Sequence, residues 1–508
     1  MATTWSERAF GAEAIGDAEV AALAHATNAE LMDRAAHAVA RETLAELRAH
    51  HGHARGRAVV LLVGSGKNGG DALLAGVYLM RAGVNVDAVM CSPDTYEPAF
   101  AAFAAAGGGV HRAHEAPGLA SGAQALEASD AVIDGVVGLG ARPGLREPAI
   151  TLAQAVPSRA IVIAVDLASG VDVATGETPG DFIAADVTVT FSAPKPCHFL
   201  PPAAVASGRV AVATVGVPLD VAAATPDLSR ATAADVRQRW PMPRRGDHKY
   251  TRGVLGVVAG SVQYPGAAVL AVSGAWRTGV GMVRYWGPAR AQDLVLAARP
   301  ETVCHDLPHD AQVQAWLVGP GVAGDDDQPA AVMLALESGL PGVADAGAIE
   351  ACVLHQRDHA TTSPGQRPHW VVTPHAGELA HALTSLGAPA SRADVESQPV
   401  VHARRLAELA KVVVLLKGAV TLICDPTGSV VSQADAPAWL ATAGAGDVLA
   451  GVIGSLLASG VDPVEAAVMG AYVHANAARA ASLGGPIVAL DVAEAIPRVV
   501  RALLATTT

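Results

Sequence analysis

Continuous runs of apolar residues, each followed by a glycine-rich or aspartate-containing turn, limit what this 508-residue chain can fold into. In the first half of the chain they occur at residues 57–63, 84–90, 131–134, 160–166 and 186–191. A strand that is buried on both faces of a sheet reads as an unbroken apolar run, and helical spacing follows the first run, over residues 73–81. The pattern therefore predicts an α/β fold with parallel sheets covered by helices.

The length of the chain favours two or three domains over one. The strand and helix pattern weakens between residues 217 and 249, and apolar runs resume at residues 253–260, 315–318, 369–372 and 412–416. No sequence repeat relates the two halves. We therefore expect two different α/β domains, residues 1–228 and residues 229–508, with a boundary near Leu228.

Composition and charge exclude several classes of function. The formal net charge of -13 argues against a nucleic-acid-binding protein, which needs a basic face. The five cysteines are scattered without metal-binding or redox spacing, and the first residues lack the apolar segment of a signal peptide. An uncharged stretch at residues 253–276 is interrupted by Pro265 and Gly266, so it fits a strand, loop and helix better than a membrane span. We expect a cytoplasmic protein that binds neither nucleic acid nor membrane.

A glycine-rich turn near the C-terminus, Gly444-Ala445-Gly446-Asp447, leads directly into an apolar helical segment. The free backbone N–H groups and the dipole at the start of a helix favour anions. An aspartate at this position can accept a proton from a substrate hydroxyl that lies beside the bound phosphate. The turn therefore predicts phosphoryl transfer to a hydroxyl group, with Asp447 as the general base.

Three other segments of the second half also follow predicted strands, namely residues 319–321, 373–378 and 417–421. The carboxyl ends of parallel strands are where open α/β sheets bind ligands. We expect Lys417 to face a nucleotide phosphate. His375 fits either a buried, hydrogen-bonded histidine or a ligand contact.

In the first half, residues 64–71 form a glycine-rich segment that matches neither the dinucleotide-binding pattern nor a P-loop. Residues 134–140 and 166–170 likewise follow predicted strands. Their asparagine, aspartate and serine oxygens, without cysteine or histidine, suit a hard monovalent or divalent cation. The alternative for each aspartate is a helix cap or a turn residue.

Taken together, these segments resemble the fused bacterial NAD(P)H-hydrate repair enzymes. That family joins an NAD(P)HX epimerase domain to an ADP-dependent NAD(P)HX dehydratase domain. The resemblance covers nearly the whole chain and is most specific in the second half, where the matching segments occur in the family's order at residues 248–253, 264–268, 277–283, 319–321, 373–378, 416–418 and 441–447. It implies a Rossmann-like three-layer α/β/α N-terminal domain and a ribokinase-like α/β C-terminal domain.

The resemblance also implies roles for matching residues of the C-terminal half. The hydrated nucleotide, NADHX or NADPHX, would be contacted by Ala267, Gly321, His375 and Asp447. ADP would be bound by Lys417, Gly418, Ala419, Val420, Thr421 and Gly446. Mg²⁺ is expected to assist the phosphoryl transfer.

In the N-terminal half the implied substrate contacts are Lys67, Asn68, Gly69, Gly70, Asp71, Gly138, Leu139, Gly140, Ala141, Arg142, Pro143, Gly144 and Asp166. A potassium ion would be held by Asn68, Asp134 and Ser169. Asp166 is the candidate acid/base of the epimerisation. We also expect a homo-oligomer.

The chain departs from the family pattern at four places in the N-terminal half. Lys67 replaces an asparagine, Ala72 replaces a glycine and Ala168 replaces a proline. Residues 31–36 replace a helix segment that normally ends Ala-Gly. One alternative function is therefore a ribokinase-type small-molecule kinase with a degenerate, non-catalytic N-terminal binding domain. The preference for ADP over ATP, and for NADHX over NADPHX, stays open at this point.

Overall fold

The computed structural model describes residues 5–217, 228–305, 312–323, 327–359, 369–434 and 436–505. These residues form two compact units. The N-terminal unit spans Arg8–Leu228, and the C-terminal unit contains the chain from Ser229 onward together with residues 5–7. Each unit is built around a largely parallel sheet, so the predicted α/β class with two domains is confirmed.

The elements of the first half, in chain order, are β1 (Glu7–Ala9), α1 (Ala12–Ala22), α2 (Asn28–His51), β2 (Ala58–Val63), α3 (Lys67–Arg81), β3 (Asn85–Met90), α4 (Glu97–Ala105), β4 (Gly109–Arg112), α5 (Ala116–Glu127), β5 (Ala131–Gly135), α6 (Ala149–Ala155), β6 (Ile161–Val165), β7 (Val187–Phe191), α7 (Ala203–Ala206) and β8 (Arg209–Ala213).

The sheet of the N-terminal unit has the strand order β4-β3-β2-β5-β6-β7-β8, and all of its pairings are parallel. Alternate residues of β2 face opposite layers. Leu61 packs in a core with α2, α3 and α4, whereas Leu62 packs in a core with α5 and α6. These three layers place the ligand crevice where the strand order reverses, at the carboxyl ends of β2 and β5.

The elements of the second half are β9 (Leu228–Arg230), α8 (Ala233–Arg239), β10 (Val254–Val258), α9 (Pro265–Thr278), β11 (Met282–Trp286), α10 (Ala289–Ala298), β12 (Val303–His305), β13 (Ala315–Val318), α11 (Gln328–Glu337), β14 (Gly342–Ala344), α12 (Ile349–His359), β15 (Trp370–Val372), α13 (Ala376–Ser385), α14 (Arg392–Ser397), α15 (Pro399–Ala410), β16 (Val413–Leu416), β17 (Thr421–Cys424), β18 (Val430–Gln433), α16 (Ala445–Ala458), α17 (Pro463–Ser482) and α18 (Ala489–Ala505).

In the C-terminal unit the strands β12-β11-β10-β13-β14-β15-β16 pair in parallel, and β17 and β18 extend this sheet as antiparallel strands. Helix α16 crosses α9 at very short range. A Cβ atom at Gly451 would lie 2.2 Å from the Ala271 carbonyl oxygen, and one at Gly274 would lie 2.4 Å from that of Val448. The small residues of both helices therefore fix where α16 begins, and its first turn carries Asp447.

Within the described residues, no helix is both long enough and apolar enough to cross a membrane.

The prediction for the start of α3 was wrong. The sequence predicted a helix over residues 73–81, but α3 begins at Lys67. Gly69 and Gly70, which indicated a turn in the sequence, lie inside the first turns of this helix. Gly69 is required there by a close approach of the backbone, because a Cβ atom at this position would lie 2.2 Å from the carbonyl oxygen of Gly64.

Candidate active sites

A cavity of about 920 Å³ opens in the N-terminal unit, lined from the loops that follow β2, β5 and β6. The structure brings most of the predicted substrate residues to its wall, namely Lys67, Asn68, Asp71, Gly138, Leu139, Gly140, Ala141, Arg142, Gly144 and Asp166. Gly69, Gly70 and Pro143 are not among the lining residues. The parallel strands thus place residues from distant parts of the chain around one volume.

Asp166 lies directly after β6 with a φ of 69°, a left-handed conformation that non-glycine residues rarely adopt. Its Oδ1 atom accepts hydrogen bonds from the Lys195 ammonium and from the Thr190 hydroxyl, the latter at 3.0 Å. Burial alone would raise the pKa of this carboxyl. The charge and hydrogen bond of Lys195 outweigh that effect and hold the pKa below its ordinary value. Asp166 is therefore an ionised group in the cavity wall.

Lys195 is a functional candidate to which the sequence assigned no role, although residues 190–191 and 194–195 match a segment of the family. Its side chain is 1% exposed, and its ammonium group also donates to the Thr190 hydroxyl at 2.8 Å and to the Phe191 carbonyl at 3.2 Å. A lysine among apolar neighbours, in residues 193–200, is the sequence signal that could have identified it. Lysine is almost never fully buried unless it is paired.

The three predicted potassium ligands gather around Val137. The Ser169 hydroxyl donates to Asp134 Oδ1 at 2.6 Å and accepts from the Val137 N–H at 3.1 Å. The Asn68 amide nitrogen donates to the carbonyl oxygens of Val137 and Val165. Burial raises the pKa of the fully buried Asp134 to about 6. An oxygen-only donor set around a buried carboxylate fits a hard cation, whose charge would offset the cost of ionising Asp134.

In the C-terminal unit, Lys417 is the centre of a cluster of charged groups. Its ammonium group lies 2.7 Å from Asp345 Oδ1 and 3.7 Å from Glu378 Oε2. The Thr373 hydroxyl donates to the same Asp345 oxygen at 2.7 Å. A Cβ atom at Gly446 would lie 3.2 Å from the Lys417 ammonium nitrogen. The segments that follow β14, β15 and β16 therefore meet the start of α16.

Asp447 occupies the third position of α16, after Gly444 has capped the helix with a φ of 86°. At such a terminus the first backbone N–H groups have no partner within the helix and are available to an anion. Burial and, to a smaller extent, the negative charge of Asp345 raise the pKa of Asp447, Lys417 opposes the increase, and the net pKa is about 7. The site thus holds a carboxyl group that changes protonation near neutral pH, next to a ready anion site.

The predicted contacts of the hydrated nucleotide fall into two groups. A Cβ atom at Gly321 would lie 2.6 Å from the Cβ atom of Ala267, so these two residues adjoin each other at the start of α9. His375 caps α13, and its Nδ1 atom accepts hydrogen bonds from the N–H groups of Gly377 and Glu378. The ring is largely exposed. The alternative of a buried histidine is therefore wrong, and Nε2 is the ring nitrogen that can meet a ligand.

Two observations refine the predicted nucleotide segment. Gly418 and Ala419 are exposed, whereas the Val420 side chain is buried in the core and Thr421 begins β17.

Asp345 is a residue of the C-terminal site that the sequence analysis missed. It lies in a short Ala344-Asp345-Ala346 segment whose significance depends on its 2% exposure and on its contact with Lys417, and neither property is visible in the sequence.

Comparisons with known proteins agree with this division of the chain. Residues 255–498 match the family model described as NAD(P)H-hydrate dehydratase. Residues 28–197 match the model described as the N-terminus of YjeF-related proteins. The bifunctional NAD(P)H-hydrate repair enzyme Nnr of Mycobacterium tuberculosis is 43% identical over 461 residues, which cover 90% of each chain. The chain belongs to the family of bifunctional NAD(P)H-hydrate repair enzymes.

More distant members of this family match over most of their length as well. The Mycobacterium leprae enzyme is 41% identical, with 92% of this chain and 93% of that protein covered. The Escherichia coli enzyme is 31% identical, with 82% and 80% covered. Among solved structures, the ADP/ATP-dependent NAD(P)H-hydrate dehydratase of Bacillus subtilis, co-crystallised with ATP and Mg²⁺, is 27% identical. It covers 54% of this chain and 98% of its own, with a TM-score of 0.47.

Proposed function

We propose that this protein repairs hydrated nicotinamide nucleotides. The C-terminal unit is an ADP-dependent dehydratase that converts S-NAD(P)HX to NAD(P)H, with release of AMP and phosphate. The N-terminal unit is an epimerase that interconverts the R and S forms. The observation that carries the proposal is the position of Asp447, a carboxyl group with a pKa near 7 at an anion-binding helix terminus, in a chain that belongs to this family.

In the dehydratase step, ionised Asp447 removes the proton from the 6-hydroxyl of the hydrated ring. The hydroxyl oxygen then attacks the β-phosphorus of ADP, the bond from that phosphorus to the bridging oxygen breaks, and AMP leaves. The resulting phosphate ester is a better leaving group than hydroxide. The lone pair of the ring nitrogen expels phosphate, and loss of a proton from carbon 5 restores NAD(P)H.

The charge on the transferring phosphoryl group is stabilised by the helix terminus and by Lys417. Backbone N–H groups at the start of α16 face the position of the anion, and the Lys417 ammonium lies beside Gly446. Mg²⁺, when bound, would supply further stabilisation of the negative charge on the transferring phosphoryl group. Among the described residues no group of three or more metal-type side chains is assembled. This fits an ion held mainly by phosphate and water, with Glu378 as the protein carboxylate, since Asp345 Oδ1 already accepts hydrogen bonds from Thr373 and Lys417.

In the epimerase step, carbon 6 carries both a hydroxyl group and the ring nitrogen, so water can leave and re-add on either face. Asp166 acts as the base, and its position in the cavity wall together with its ion pair to Lys195 supports this role. A potassium ion held by Asn68, Asp134 and Ser169 would supply positive charge at the carboxyl end of β5 and would stabilise the buried Asp134 carboxylate. Loops that follow β2 and β5 hold the substrate.

The substitution Asp447→Asn tests the dehydratase mechanism. It removes the base but keeps the size of the side chain, so we expect NADH recovery from S-NADHX and ADP to fall by about 10²- to 10⁴-fold. Binding of ADP, measured by calorimetry, should be retained. Asp358→Asn, on an exposed part of α12, is the matched control and should keep wild-type rates.

Two outcomes would contradict the dehydratase mechanism. One is full turnover by Asp447→Asn. The other is a wild-type product that stays stably phosphorylated, without free phosphate or absorbance near 340 nm, because that product identifies a small-molecule kinase instead.

We further propose that the protein acts in the cytoplasm as a homo-oligomer. Exposed apolar side chains of the C-terminal unit, Trp439, Leu483 and Val488, support an interface between copies.

A further inference from the structure

Asp71 is a buried acidic residue whose position a role in substrate binding alone does not explain. It is 6% exposed, and its Oδ1 atom has no hydrogen-bond partner among the described residues. It lines the 920 Å³ cavity and also a second cavity of about 370 Å³, and Lys67 lines both as well. An unpaired buried carboxyl oxygen is costly to the folded state, so its presence calls for a functional reason.

The electrostatic surroundings of Asp71 differ from those of Asp166 in the same cavity. Burial raises the pKa of Asp71 well above its ordinary value, and the negative charge of Asp166 raises it further. Glu19 acts in the same direction, and Lys67 opposes the increase. Lys67 is mostly exposed and lies 3.6 Å from Glu19. The surroundings of Asp71 therefore favour its protonated form, whereas Lys195 favours the ionised form of Asp166.

Two carboxyl groups whose surroundings drive their protonation in opposite directions form an acid and base pair. We propose that Asp71 is the proton donor of epimerisation and protonates the 6-hydroxyl of NAD(P)HX as that group leaves. This assignment rests on the epimerase function proposed above. It adds a catalytic residue and gives the pair of aspartates separate roles.

The proposed steps conserve protons and electrons. The bond between carbon 6 and oxygen breaks with its electron pair on oxygen, the Asp71 proton joins that oxygen, and water departs. The ring nitrogen lone pair forms a double bond to carbon 6, which gives a cationic ring beside two carboxylates. Water then adds to the other face, its proton passes to Asp166, and the electron pair returns to nitrogen. Transfer of that proton from Asp166 to Asp71 regenerates the starting state, and the reverse reaction follows the same steps backwards.

The test uses the full-length protein with purified R-NADHX and no ADP, and follows formation of the S form by chromatography. Asp71→Asn keeps the shape of the side chain but cannot donate an acidic proton. We expect its epimerisation rate to fall by about a hundredfold or more. Asp71→Glu should recover part of the rate, and Asp94→Asn, an exposed residue outside both cavities, should keep it.

Three additional readouts separate catalysis from a structural role. First, the melting temperature of Asp71→Asn should equal or exceed that of the wild type, since an unpaired buried acid has been removed. Second, the pH profile of kcat/KM should lose the alkaline limb that belongs to the acid. Third, the dehydratase rate on S-NADHX should not change.

Each possible result is decisive. If Asp71→Asn epimerises at a rate near that of the wild type, or loses activity together with a lower melting temperature, the assignment is wrong. If the wild type itself does not convert the R form, the proposed epimerase function fails instead.

Discussion

Asp345 offers a way to change the charge of the C-terminal site without changing its shape. Its Oδ1 atom accepts hydrogen bonds from Thr373 and from Lys417, both at 2.7 Å. An asparagine amide oxygen can accept the same two bonds. Asp345→Asn therefore removes one negative charge near Asp447 and leaves Lys417 to interact more strongly with Asp447 and Glu378.

The expected magnitude follows from the pKa of Asp447. A base with a pKa of about 7 is ionised to about 9% at pH 6 and about 91% at pH 8. The activity of the wild type at pH 6 should therefore be about one tenth of its activity at pH 8. Removing a neighbouring negative charge lowers the pKa of a carboxyl, by about one pH unit for a close partner. We therefore expect the acid limb of Asp345→Asn to have its midpoint near pH 6 and the activity ratio to rise to about one half.

The assay is kcat/KM for S-NADHX at a fixed saturating concentration of ADP, measured as NADH absorbance between about pH 5.5 and 8.5. Because the ionisation of ADP is the same for every variant, only the difference between profiles is interpreted. Asp358→Asn should leave the midpoint unchanged. A midpoint for Asp345→Asn that stays at the wild-type value, or moves upward, would show that Asp447 is not the titrating base.

Two further predictions concern the N-terminal unit. Because burial raises the pKa of Asp134 to about 6, its ionisation costs the folded state about 3 kcal/mol at pH 7, a cost that is absent below about pH 4 and complete above about pH 6. Potassium should therefore raise the melting temperature of the wild type above pH 7, compared with a bulky organic cation. It should have no effect on the melting temperature of Asp134→Asn. An equal effect on both proteins would argue against the cation site. Lys195→Met leaves the Asp166 carboxylate buried without its partner, so we expect denaturant unfolding at pH 7 to show a loss of about 3–5 kcal/mol. That loss should be largely recovered by a second change, Asp166→Asn, and a loss below about 1 kcal/mol would contradict the buried pair.

The central strands could be predicted because burial on both faces leaves a direct mark in the sequence. Every residue of β2 (Ala58–Val63) is apolar. The edge strand β4 (Gly109–Arg112) was missed because it is only partly buried, and its sequence shows neither an apolar run nor a clear alternation. The edge strand β8 (Arg209–Ala213) was also missed, although its residues 210–213 are apolar.

The candidate sites were partly predictable because parallel strands all end at one edge of a sheet. Glycines and aspartates that follow apolar runs must therefore gather there, and Asp166 and Lys417 were found in this way. Their partners were not. Lys195 is 29 residues from Asp166 along the chain, and Asp345 is 72 residues from Lys417. Pairings over such distances are specified by the fold and by burial, which the pattern of apolar and polar residues does not encode.

The two units use one electrostatic arrangement for opposite purposes. In each, a lysine contacts one carboxylate closely and a second carboxyl group has a raised pKa, Asp447 in the C-terminal unit and Asp71 in the N-terminal unit. Lys195 contacts the proposed base, Asp166, so Asp71 is left as the proposed acid. Lys417 contacts the supporting residue Asp345, so Asp447 keeps a pKa near 7 and can act as a base. The position of the lysine in each unit decides which carboxyl group is ionised. Neutralising Lys195 or Lys417 should therefore alter the acid and base roles more than replacing one of the aspartates by glutamate.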